Sequence, residues 1–314
     1  MSKNKTRTKK SDDIYFDNTT CRLLCDHDGD LTNRVDALER PLSVILQVTR
    51  RCPFSCVFCS ETEPCPDPTL PQLRDMKEHL EGVCRVFLSG GEPLLREDFA
   101  EIVDIFGTSF VLGLATNASV PDKLIPILKK RIAFVNIGLD GPRNTTSRIR
   151  GDYDTIMKGV FRFRDHKIPI SLTCVVLSST IDSVLYVCQI ADVVGARKVK
   201  LVLPVPKGNA AELDCNEFLS YDAVESLFDD IVQAKSRYGW TPRITLTAWT
   251  RATEGYSILV YPNGDTVAWP VYETKDKVKH LGNLIDEPIK DIWQRYPYKL
   301  NHLKKYLGES IFLA

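Results

Sequence analysis

The 314-residue chain carries no net charge: lysine plus arginine and aspartate plus glutamate both number 41. A balance of zero supplies no global field to draw the protein to nucleic acid or to an anionic membrane. No run of about 18 apolar residues occurs, so no stretch reads as a membrane span. The one biased segment is the first eleven residues, with Lys3, Lys5, Arg7, Lys9 and Lys10. No apolar run follows it, which excludes a signal peptide, and it reads as a solvated, disordered tail rather than a nucleic-acid arm. These absences predict a soluble, cytoplasmic protein whose partners act at local sites. Hydrophobic residues make up 43% of the chain, enough for one large α/β domain or a domain with a smaller appendage.

Cysteine is also sparse. Ten in a chain this long are too few for a disulfide scaffold, and none follows Cys215. Three of them nevertheless crowd into eight residues, Cys52-Pro53-Phe54-Ser55-Cys56-Val57-Phe58-Cys59. Such crowding points to a metal site in a reducing, intracellular setting, because thiolates must stay unoxidised to ligate metal. Four cysteines would close every coordination position of a 4Fe-4S cube, whereas three leave one iron open. A zinc site or buried structural thiols are the alternatives. Zinc usually takes four ligands, often in two separated pairs, and no second CxxC or HxxxH is present. Cys65 and the Cys21, Cys25 pair are available as extra ligands, but their spacing gives no independent support.

From Val44 onward, runs of Val, Ile and Leu alternate with amphipathic stretches. Strands are expected at Val44–Thr49, Arg85–Leu88, Val111–Ala115, Ala133–Leu139, Ile170–Leu177 and Lys198–Leu203. Helices are expected at Pro71–Glu81, Asp98–Phe106, Pro121–Lys130, Tyr153–Asp165 and Ile181–Val194. Such alternation argues for parallel strands with right-handed crossovers, in a barrel or an open doubly wound sheet. The polar and glycine-rich motifs follow strand ends: Thr49-Arg50-Arg51-Cys52, Ser89-Gly90-Gly91-Glu92-Pro93, Thr116-Asn117 and Asp140-Gly141-Pro142. In a barrel that end is the active face.

Past Pro204 and Pro206 the pattern changes. A helix is expected at Tyr221–Ser236, short strands at Ile244–Thr247, Ser257–Tyr261 and Thr266–Trp269, and helices at Pro288–Arg295 and Tyr298–Leu307. Asn263-Gly264 signals a hairpin of the type in which both turn residues take positive φ. The division expected is a lead-in over 1–40, a barrel over 41–210 and a C-terminal extension over 211–314.

The CxxxCxxC spacing with Phe58 before the last cysteine resembles the signature of the radical S-adenosylmethionine (SAM) superfamily, and Gly90-Gly91-Glu92-Pro93 after the second strand is similar to that family's GGE motif. The resemblance runs over roughly residues 42 to 297 and implies an α/β fold: a partial (β/α)6 TIM-type barrel with a small C-terminal α+β extension. It implies one 4Fe-4S cluster on Cys52, Cys56 and Cys59. It implies SAM beside Phe58, Gly90, Gly91, Glu92 and Pro93, with softer matches at Thr116, Asn117, Asp140 and Arg150 and weaker ones at Ser178 and Lys207-Gly208. Glycines admit a close ligand, Glu92 can pair with an ammonium, and Arg150 can bind a carboxylate bidentately. Each softer match also has an ordinary reading: Asn117 as a helix cap, Asp140-Gly141 as a turn, Arg150 as a solvated charge.

The implied activity is reductive cleavage of SAM to a 5'-deoxyadenosyl radical, which abstracts hydrogen from a peptide or small-metabolite substrate. The electron would come from a reductase, flavodoxin or ferredoxin. A non-catalytic cluster- or SAM-binding regulator is the alternative, and neutral charge argues against a nucleic-acid partner.

Residues 256–294 are similar to the SPASM or twitch extension of one branch of the family, with a hairpin, then Leu281-Gly282-Asn283-Leu284, then Asp291-Ile292-Trp293. The auxiliary-cluster cysteines are missing, and Trp269 and Pro270 stand where a ligand would be expected. A single cluster is therefore expected. Tyr256, Tyr261, Trp269 and Tyr272 either line the substrate pocket or pack the hairpin.

Overall fold

The computed structural model describes residues 14–17, 22–25, 39–247, 257–268, 278–296 and 312–313. The basic tail, Cys21, Tyr256, Trp269, Tyr272 and the helix expected at Tyr298–Leu307 lie outside them. In chain order the strands are β1 (Ile14–Asp17), β2 (Arg22–Cys25), β3 (Ser43–Gln47), β4 (Arg85–Ser89), β5 (Val111–Thr116), β6 (Ile132–Gly138), β7 (Ile170–Val175), β8 (Lys198–Val202), β9 (Arg243–Thr247), β10 (Ser257–Val260), β11 (Asp265–Ala268), β12 (His280–Asn283) and β13 (Phe312–Leu313). The helices are α1 (Leu70–His79), α2 (Phe99–Gly107), α3 (Ile125–Arg131), α4 (Arg143–Ile149), α5 (Tyr153–Asp165), α6 (Val184–Val193), α7 (Tyr221–Tyr238) and α8 (Ile289–Gln294).

β1 and β2 pair with each other, and the other strands form one sheet in the order β12-β11-β10-β3-β4-β5-β6-β7-β8-β9-β13. From β10 to β9 every neighbouring pair is parallel. β11, β12 and β13 join antiparallel at the two edges. The edges do not pair with each other, so the barrel is partial, not closed. β9 was expected among the C-terminal strands; it lies beside β8 in register Lys198↔Arg243, because α7 supplies the crossover that a parallel neighbour needs. The hairpin β10–β11 adds at the opposite edge, with Ser257 opposite Ser43.

The central strands turn one face to the helices. On β3 that face is Val44, Leu46 and, just beyond its end, Val48, all fully buried in the main core with Phe99, Phe106 and Phe163. Ile45 faces the other side with Leu259, Val267 and Tyr261. Local chemistry fixes the helix starts. Thr69 and Gln72 form a capping box on α1, Asp152 caps α5, Ser220 caps α7, and Gly239 ends α7 at φ +66.

Two local expectations need correction. α4 was not expected: Arg143-Asn-Thr-Thr-Ser-Arg-Ile is short and polar, and only Thr146 and Ile149 are buried, too little for a visible helical period. In the β10–β11 turn only Gly264 has positive φ, at +87, while Asn263 does not. The Gly264 N–H donates to Tyr261 O at 2.9 Å and the Tyr261 N–H to Asp265 O at 2.8 Å, which is a turn followed by a left-handed glycine rather than a two-residue loop.

Candidate active site

The loop from Thr49 to Ser60 leaves the C-terminal end of β3, and its course is fixed from three sides. On the first side is the turn after β4. The Gly91 N–H donates to Thr49 O and the Glu92 N–H to Arg51 O, both at 2.8 Å. A Cβ on Gly90, where φ is +142, would stand 2.1 Å from Thr49 O, and one on Gly91 would stand 2.3 Å from Arg51 O. These glycines are therefore required by the protein's own backbone, whatever else binds there.

On the second side is the segment around Arg150. The Val57 N–H donates to Ile149 O at 2.9 Å and the Cys56 thiol to Arg150 O at 3.4 Å. The Phe54 ring occupies the place of a Cβ on Gly151. On the third side is the loop after β8, where the Asn209 N–H donates to Cys59 O at 2.8 Å and its Nδ2 to Cys56 O at 2.9 Å. Gly208, at φ +59, is held so close to Cys59 O that a Cβ would meet it at 2.6 Å. Asn209 escaped the sequence reading; its only signal there is its place one residue after Gly208, past the sixth strand.

Glu92 is fully buried. Its carboxylate accepts from Leu94 N at 3.0 Å, from Thr116 Oγ1 at 2.9 and 3.0 Å and from Asn117 N at 2.6 Å. Burial pushes its pKa up to about 7, although the three hydrogen-bond partners favour the ionised form. The side chain thus joins the ends of β4 and β5. Pro93 and Leu94 are buried in the short turn that Glu92 caps. Asn117 is 8% exposed; its Oδ1 accepts from Ser119 N at 2.9 Å, while its Nδ2 is buried without a hydrogen-bond partner and favours the Cys52 thiolate.

Arg150 is not a solvated charge. Its guanidinium donates to both oxygens of the fully buried Asp140, Nε to Oδ2 at 2.6 Å and Nη2 to Oδ1 at 3.1 Å, and lies 4.9 Å from the centre of the Phe58 ring. Asp140 also accepts from Val175 N at 2.8 Å. Gly138 leaves room for this pair, since a Cβ there would meet Arg150 Nη1 at 2.1 Å. Burial opposes the Arg150 charge, yet Asp140 holds its pKa above the ordinary value. Asp140, Arg150 and Phe58 thus support the cysteine loop from below. Ser178 opens the turn after β7 and is exposed.

The thiols themselves remain free. Cys52 is exposed and Cys56 and Cys59 are half-buried. Burial pushes the Cys56 pKa up to about 11, with Arg150 opposing and Cys59, Asp140 and Cys52 adding to the rise. Burial is also the largest cause at Cys52, followed among the raising groups by Glu92 and Cys59. The three thiols are thus close enough to disfavour one another's charge, and ligation by a cationic cluster would relieve that repulsion. Among the described residues no three Cys, His, Asp or Glu side chains converge on one ion position. Three pinned thiols that oppose one another's ionisation, beside an orphaned buried amide, fit a polynuclear cluster with a polar ligand next to it.

A partial parallel barrel with three cysteines on the loop after its first barrel strand and a Gly-Gly-Glu turn after its second defines a class. Residues 46–188 match the family model of the Radical SAM superfamily, and this part of the chain is a radical SAM domain. The family implies a 4Fe-4S cluster and SAM as cofactors. The chain is 25% identical over 284 residues to the sporulation killing factor maturation protein SkfB of Bacillus subtilis, covering 84% of this chain and 67% of that protein. It is 24% identical to the PqqA peptide cyclase of Xanthomonas campestris, covering 81% of this chain and 73% of that protein. SuiB of Streptococcus suis bound to its precursor peptide SuiA superposes with a TM-score of 0.70 at 13% identity, over 85% of this chain and 67% of that one. No helix among the described residues is long and apolar enough to cross a membrane.

Proposed function

We propose that this chain modifies a peptide by hydrogen abstraction, using one 4Fe-4S cluster held by Cys52, Cys56 and Cys59. When bound, the cluster and SAM together supply a 5'-deoxyadenosyl radical that removes a hydrogen atom from the substrate. The names of the relatives support a peptide substrate, since they describe a maturation protein, a peptide cyclase and a precursor-peptide complex.

The chain's own residues bind and orient. The cysteine loop is braced by the Gly90-Gly91 turn, by Asp140 and Arg150 beneath Phe58, and by Asn209. Glu92, bonded to Thr116, Asn117 and Leu94, holds that turn so that groups of Gly90, Gly91, Glu92 and Pro93 face SAM. Asn117 Nδ2, left without a protein acceptor, is the donor poised for SAM. Ser178 stands at the same mouth for the far end of SAM. An external reductase, flavodoxin or ferredoxin provides the electron to this one cluster in the barrel.

The observation that carries this reading is the three-sided fixation of the loop with none of its three cysteines in a disulfide. The test is anaerobic reconstitution of the full chain with iron and sulfide, then SAM and a strong reductant. Formation of 5'-deoxyadenosine, abolished in Cys56→Ala together with the iron, is expected. About four irons per chain without SAM cleavage would select the non-catalytic alternative.

A further inference from the structure

Next to the cysteine loop lies a charged group that the reading above does not use. Arg50 Nη1 contacts Glu61 Oε2 at 2.8 Å, and Lys207 Nζ contacts Glu61 Oε1 at 2.9 Å. Lys207 also donates to the Tyr261 hydroxyl at 3.0 Å. The Arg50 guanidinium stacks on the Tyr261 ring at 4.6 Å, and Ser60 Oγ donates to Glu61 Oε1 at 3.4 Å. The side chains of Arg50, Glu61 and Lys207 are only 10%, 12% and 12% exposed. The four residues come from four places: the ends of β3, β8 and β10, and the segment just after Cys59.

Three features of this group point to a ligand. Among the described residues it is unbalanced, with two cations facing one carboxylate. Arg50 Nε is buried with no hydrogen-bond partner. Gln47, 3% exposed at the end of β3, has its Oε1 buried and equally unpartnered. Along β3, Val44, Leu46 and Val48 go to the helix side while Ile45 packs with Leu259 and Tyr261, so alternation puts Gln47 on the Tyr261 side, inside the barrel mouth. An orphaned donor and an orphaned acceptor within one strand end call for a ligand that offers both, because buried polar groups are normally satisfied.

We propose that Arg50, Lys207, Tyr261 and Gln47 form a substrate subsite at the barrel mouth that takes a carboxylate carried by a peptide together with a neighbouring amide N–H. The carboxylate completes the charge balance between Arg50 and Lys207, and the amide donates to Gln47 Oε1. This rests on the peptide reading above. Because Gly208 and Asn209 tie the Lys207 loop to Cys59, a carboxylate held here would lie beside the cluster loop and fix which residue of the peptide is presented to it.

The test uses the full chain reconstituted with iron and sulfide, with two probes: N-acetyl-glutamate N-methylamide and its uncharged twin, N-acetyl-glutamine N-methylamide. Binding is followed by saturation-transfer NMR. The acid is expected to bind at least about tenfold more tightly than the amide, and Lys207→Met is expected to remove most of that preference. Gln47→Leu is expected to weaken both probes while raising the melting temperature, since it deletes a buried acceptor that has no donor; a purely structural glutamine would lower it. This variant keeps the proposal testable if Lys207→Met does not fold. Equal binding of the two probes, no binding of either, or an acid preference unchanged by Lys207→Met would overturn the subsite. The peptide reading is judged separately, by 5'-deoxyadenosine formed in step with a mass change in a peptide.

Discussion

Replacing Gly91 by alanine separates two reasons for the Gly-Gly-Glu turn. If the glycine serves only a bound ligand, alanine leaves the unloaded protein untouched. The structure says otherwise. The added Cβ would stand 2.3 Å from Arg51 O, 2.6 Å from Arg50 O and 2.7 Å from Arg51 C, and all three are backbone atoms that no rotamer change can move. Relieving the nearest contact to 3.0 Å requires the cysteine loop to retreat by 0.7 Å, and to 3.4 Å by 1.1 Å. That retreat stretches the bonds from Gly91 N to Thr49 O and from Glu92 N to Arg51 O, each now 2.8 Å. Their loss costs about 1 kcal/mol each, and the overpacking itself about 1–3 kcal/mol. The expected destabilisation of about 3–5 kcal/mol corresponds to a drop of roughly 5–10 °C in melting temperature for a chain of this size. Since Cys52 directly follows Arg51, the iron retained after anaerobic reconstitution should fall as well. Differential scanning fluorimetry on the unloaded chain and an iron assay on the reconstituted one measure both. A melting temperature within about 1 °C of wild type, with full iron content, would refute the close approach.

Other perturbations test the remaining braces. Asp140→Ala strands a buried guanidinium and should destabilise by about 3–5 kcal/mol; Asp140→Asn, which can keep the acceptor for Val175 N, should cost less, and urea melts distinguish them. Glu92, whose pKa rises on folding from 4.5 to about 7, binds more protons folded than unfolded in that window. Its contribution to stability is therefore full below about pH 4.5 and lost as pH rises through about 7, a span of about 3 kcal/mol. Glu92→Gln should flatten the fall in melting temperature between about pH 5 and pH 7.5; an unchanged slope would count against a buried, titrating carboxylate. Asn209→Ala removes the tether to Cys56 O at about 1 kcal/mol and should speed iron release to a chelator with little change in melting.

The sequence by itself determined the alternation of strands and helices and the class of chemistry. Runs such as Val44–Thr49 and Ile170–Leu177 are apolar enough to be buried strands, and three cysteines within eight residues followed by Gly-Gly-Glu carry a pattern readable without coordinates. It misjudged what distant partners control. α4 was invisible because two buried residues give no period, and β9 was set apart from the parallel sheet because its pairing with Lys198 spans the whole of α7. The roles of individual site residues were least legible. Glu92's bonds to Thr116 and Asn117 left no trace in the sequence; Arg150, open to a solvated reading, is buried against Asp140; Asn209 and Glu61 gave almost no signal. Only the tertiary structure decided these, because a hydrogen bond joins atoms brought within 3 Å by folding, and residues as far apart as Cys56 and Asn209 meet only once the sheet has set the strand ends side by side.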